Sequence, residues 1–130
     1  MTRSIAAVTL LVRDYDEAIA WFTGVLGLDL IEDTPLGGSK RWVQVGQLVG
    51  GGARLLLATA SDVQQTARIG DQAGARVAFF LETDDFERDH ARMSSRGVVF
   101  VEEPRNEAYG TVAVFRDIYG NKWDLIEPLQ

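Results

Sequence analysis

Hydrophobic and polar positions change period along the chain in a fixed order, and that order occurs twice. Ala7–Val12 is a short apolar run interrupted only by Thr9, with the length and β-branched content of a strand. From Tyr15 the spacing stretches to that of a helix: Tyr15, Ala18, Ile19, Phe22, Val25 and Leu26 share one stripe, and Gly27 ends it. Asp14 is placed to accept N–H bonds of the first turn, with Glu17 reaching back, and Gly27 suits the left-handed conformation that terminates a helix. The same punctuation returns later. Val77–Leu81 reads as a strand, Asp84-Asp85-Phe86-Glu87 opens a helix carrying Phe86, His90 and Met93 on one stripe, and Gly97 closes it. The offsets 14/84, 17/87 and 27/97 are equal.

Each helix is followed by a strand that runs into two acids, Leu28–Ile31 before Glu32-Asp33 and Val98–Val101 before Glu102-Glu103. Two further strands follow in each half, Arg41–Val45 and Arg54–Thr59, then Thr111–Arg116 and Lys122–Ile126. Both halves therefore read β-α-β-β-β, at about residues 1–62 and 72–130 of a single domain spanning 1–130. Gly50-Gly51-Gly52 lies between two strands with no helix and no Gly-Lys-Ser/Thr after it, so it reads as a hairpin turn rather than a phosphate cradle.

Composition narrows the function. At 130 residues the chain is sized for one domain with a real core. Its formal charge of −6 disfavours a nucleic-acid or anionic-membrane partner. The absence of cysteine removes disulfides, thiolate nucleophiles and Cys-based metal sites. A single histidine, His90, leaves a Ser-His-Asp arrangement little to build from. The apolar stretch Ile5–Val12 is too short to span a bilayer and is followed by acids rather than a cleavage site, so a soluble, cytoplasmic protein is expected.

Two stretches carry a family resemblance. VTLLVRDYDEAIAWFTGVLGLDL resembles the opening of the first module of the vicinal oxygen chelate superfamily, which includes glyoxalase I, extradiol dioxygenases, and fosfomycin- and bleomycin-resistance proteins. YGTVAVFRDIYGNKWDLIEP resembles that family's closing two strands, with Asp117-Ile118-Tyr119-Gly120-Asn121 at its usual turn. The resemblance implies an α+β fold of paired βαβββ modules, whose curled mixed sheets form a cupped cavity, and a homodimer. It also implies a divalent metal held by His and Glu from four strands. Carried over one by one, those positions are Ala7, a site near Leu56, Ala78 (or Arg76 with a slip of two), and Asp124. Only Asp124 keeps a carboxylate, so the chain resembles members lacking the metal ligands, and neither a metal nor another cofactor is expected.

What remains for a cavity is Trp42, Arg76, Tyr109 and Phe115 as ligand-binding candidates and Asp124 as the candidate catalytic group. Each has a plainer reading. Trp42 and Phe115 suit core packing, Tyr109 suits a turn anchor, and Asp124 is equally suited to pairing with Arg76 or Lys122 across neighbouring strands. His90 reads as a packing residue, and Glu102-Glu103 as solvated surface. The expected function is binding of a hydrophobic or aromatic small molecule in the dimer cavity without metal. The alternatives are a lyase, isomerase or dioxygenase of the same superfamily, with an unusual metal site including Glu82 or with Asp124 as general base, and a sensor without turnover.

Overall fold

The computed structural model describes residues 2–129 and divides into two compact units, Met1–Ile69 and Gly70–Gln130. The fold is α+β, with one mixed sheet in each unit.

In the first unit, β1 (Ala7–Val12) leads into α1 (Tyr15–Ala20), and β2 (Asp29–Gly37), β3 (Lys40–Gly46) and β4 (Arg54–Thr59) follow. The sheet order is β1-β4-β3-β2, with β1 parallel to β4 and the other pairs antiparallel. Asp14 caps α1 by accepting from Glu17 N at 2.8 Å, while the Glu17 carboxylate pairs with Arg13. The helix does not run uniformly to Gly27. Residues Trp21–Val25 widen into a π-helical turn that Leu26 N closes onto Trp21 O at 3.0 Å, and Gly27 then takes φ +86°. Tyr15, Ala18 and Phe22 bury one face, and Leu10, Val12, Val43, Val45 and Leu57 are buried apolar residues of the sheet. Arg41 ties β3 to β2 and α1, gripping Asp33 with two nitrogens and Asp16 with a third while lying over the Tyr15 ring.

A helix absent from the periodicity, α2 (Val63–Arg68), closes this unit. Asp62 accepts from Gln65 N at 2.7 Å, and Gln65 Oε1 accepts from Ser61 N at 2.8 Å, a reciprocal cap at its start.

The second unit repeats the plan with β5 (Val77–Glu82), α3 (Phe86–Ser95), β6 (Val99–Phe100), β7 (Arg105–Glu107), β8 (Gly110–Arg116) and β9 (Lys122–Pro128). Its order is β5-β9-β8-β6, with β7 also paired to β8 and β5 parallel to β9. The cap of α3 is Asp85, which accepts from Arg88 N at 3.1 Å, so the helix starts one residue later than the equal offsets imply. Asp84 stays outside and pairs with Arg88. Strand β7 was not expected, because Glu-Pro-Arg-Asn-Glu has no apolar alternation.

A column of rings joins α3 to the sheet. Phe86 stacks on His90, His90 on Phe100, Phe100 meets Phe115, Phe115 stacks on Trp123, and Trp123 meets Phe79, with centroids 4.1–5.7 Å apart. The turn between β8 and β9 is held by buried Asp117. Its Oδ1 accepts from the backbone of Tyr119, Gly120 and Asn121, and its Oδ2 accepts from Asn121 Nδ2 and Trp123 Nε1. Gly70 packs directly on this turn: a Cβ there would stand 1.9 Å from Tyr119 O, and its φ is +76°.

Candidate functional site

Strand alternation gives the second sheet two faces of opposite character. Phe79, Phe115 and Trp123 lie in register on the face that α3 covers. Phe80, Val114 and Asp124 lie in register on the other, with Glu82, Val112 and Ile126 in the next row. Phe80 is 65% exposed on that face. Beside it Asp124 is only 7% exposed, and its Oδ1 is fully buried with no hydrogen-bond partner among the described residues.

The electrostatics follow from that placement. Burial pushes the Asp124 carboxyl above the ordinary carboxylate value, the Arg105 charge draws it partly back, and Glu102 adds to the rise. Arg105 and Glu102 form a pair at the edge of this face: Glu102 Oε1 accepts from Arg105 Nε at 3.0 Å and from Val114 N at 3.1 Å. The Glu102 carboxylate thus stands where a neighbouring strand would satisfy β8, and Glu102 is half-buried and engaged rather than solvated. Tyr109, 52% exposed in the turn before β8, meets the Arg105 guanidinium with its hydroxyl. Arg105, missing from the sequence candidates, is the cation whose charge acts on Asp124.

The other candidates disperse. Phe115 is wholly buried under α3, on the face opposite Asp124, and belongs to the ring column. Arg76 is exposed in the turn before β5 and makes no ion pair with Asp124 among the described residues, while Lys122 reaches Ala75 O at 3.4 Å. Trp42 lies in the first unit, 38% exposed, on the sheet face shared with Gln44 and Leu56. His90 stacks between Phe86 and Phe100. A cleft of about 580 Å³ beside α3 is lined by Phe86, His90, Asp85 and Glu127 among others. Two of its carboxylates are occupied, Glu127 by Phe86 N at 2.7 Å and Asp85 by Arg88 N.

Each unit places a helix between its first and second strands and lays its last strand beside its first. A family model described as the Glyoxalase/Bleomycin resistance protein/Dioxygenase superfamily matches residues 4–125. The chain belongs to that superfamily. A similar protein of uncharacterised function in Shewanella frigidimarina (strain NCIMB 400) is 52% identical over 128 residues, covering 98% of this chain and 95% of its own. Among solved structures, UcmS2 is 31% identical with a TM-score of 0.82, over 97% of this chain and 98% of its own. TnmS3, an antibiotic binding protein from Streptomyces sp. CB03234, is 30% identical with a TM-score of 0.79, over 99% of both chains.

The superfamily's divalent metal does not fit the residues present. Of the four ligand positions, Ala7 on β1, Leu56 on β4 and Ala78 on β5 carry side chains with no donor atom, which leaves Asp124 alone. Among the described residues no three His, Asp or Glu side chains gather into a group able to hold a metal ion. No helix among them is long and apolar enough to cross a membrane.

Proposed function

We propose that this protein binds a hydrophobic or aromatic small molecule, without a metal, on the face of the second sheet turned away from α3. One observation carries the reading: Phe80, Val114 and Ile126 present apolar surface around one buried carboxylate, in a chain where three of the four family ligand positions lack donor atoms. The likeness to an antibiotic binding protein along 99% of both chains supports a ligand of that kind. Tyr109 and Asp124 line the site and Arg76 supplies a cation at its margin, all within the second unit, while Trp42 is an aromatic candidate on the first unit's own sheet. The protein works in the cytoplasm as a homodimer, with the second copy walling the cavity. Equilibrium dialysis of the protein against naphthalene derivatives tests this: saturable binding that weakens in Tyr109→Ala is expected, and no saturable binding overturns it.

The Asp124 oxygen favours a second reading, in which it acts as the general base of a lyase, isomerase or dioxygenase. In that case Asp124→Asn abolishes turnover of a substrate that the protein still binds.

A further inference from the structure

Asp124 Oδ1 is a hydrogen-bond acceptor placed at a cost and left without a donor among the described residues. The charged groups acting on it are Arg105 and Glu102. Arg105 is held elsewhere, its Nε on Glu102 Oε1 at 3.0 Å and its Nη1 within 3.4 Å of Glu107 Oε1, and the Lys122 ammonium reaches Ala75 O. Its neighbours in register, Phe80 and Val114, have no side-chain polar atom at all. An acceptor of this kind, sunk in apolar surface, discriminates strongly between ligands. A ligand that donates one hydrogen bond gains a charge-assisted contact, whereas one that offers only an acceptor or a methyl group leaves the carboxylate buried and unpaired.

We propose that Asp124 selects the ligand: the site takes an apolar ring system bearing one hydrogen-bond donor, a hydroxyl or an ammonium, that pairs with Asp124 Oδ1. The Glu102–Arg105 pair positions this acceptor by keeping the guanidinium off it. This selectivity rests on the proposed binding of small molecules on this face.

The test uses three probes on one ring system in the full-length protein: 2-naphthol, 2-(aminomethyl)naphthalene and 2-methoxynaphthalene, each titrated by calorimetry. At least one donor-bearing probe is expected to bind about tenfold or more tightly than the methoxy compound, the size of a charge-assisted bond. In Asp124→Leu the three affinities converge, with the methoxy compound bound as well as before. Asp124→Asn, which keeps an acceptor oxygen, retains part of the preference for the hydroxyl. Comparing the two donors distinguishes a phenolic from a cationic ligand. Equal affinities for all three in the natural protein overturn the selection by Asp124 while leaving binding intact. Failure of all three to bind overturns the binding reading itself.

Discussion

Trp123 and Asp124, neighbours on β9, point to opposite faces of the second sheet and have opposite surroundings. Trp123 stacks on Phe115 at 5.7 Å and donates through Nε1 to Asp117 at 3.0 Å, so its apolar body and its polar tip are both satisfied. Asp124 is nearly as buried but has one oxygen with no partner among the described residues.

That contrast sets the pH dependence of stability. The folded-state pKa of Asp124 is raised, so between its unfolded and folded values the native state holds a proton that the unfolded state has lost. Its contribution therefore falls as pH rises through that window and stays unfavourable above it. Asp124→Asn is expected to melt higher than the natural protein at pH 7, and the gap should narrow as the pH drops towards 4. Paired thermal melts across this range measure it, and an Asn variant less stable at pH 7 contradicts the account.

The turn anchored by Asp117 makes the opposite prediction for a carboxylate of similar burial. Asp117→Ala strands three backbone N–H groups, the Asn121 amide and the Trp123 indole, and should cost about 3–5 kcal/mol. Urea denaturation reads the loss, and a change below about 1 kcal/mol would show that the turn does not depend on this side chain.

Phe115 and Trp42 separate in the same way. Phe115→Ala removes the middle of the ring column and should cost about 3–5 kcal/mol. Trp42→Ala, at a partly exposed position, should cost about 1 kcal/mol. Equal destabilisation of both variants would return Trp42 to the core.

The repeat and the closing glycines were legible because hydrophobic period and backbone chemistry are local properties, whereas β2 runs through Glu32-Asp33 to Gly37, well past the end its apolar residues mark. Asp14 and Gly27 act as their positions predict, and the two modules share one strand order. Helix α2 was not read from the sequence: with none of its residues buried it has no hydrophobic stripe, and Asp62-x-x-Gln65 is its one local trace. Alternation places Phe115 and Asp124 on opposite faces, yet it does not say which face a helix will cover. That depends on how α3 packs, and it decided Phe115's position in the core. Arg105 escaped notice because its role comes from Glu102, three residues earlier in an irregular segment, and because the short strand that pairs it with Val112 has no apolar alternation. A Glu-x-x-Arg spacing beside an acidic strand end was its only local trace.

The central claim is that an apolar face, and not a metal, holds the ligand. Calorimetric titration of 2-naphthol into the chelator-treated protein, repeated with Zn²⁺, Mn²⁺ or Fe²⁺ added, tests it most directly. Saturable binding with the same affinity in every case is the predicted result. Binding that appears only when a metal is supplied would contradict the account.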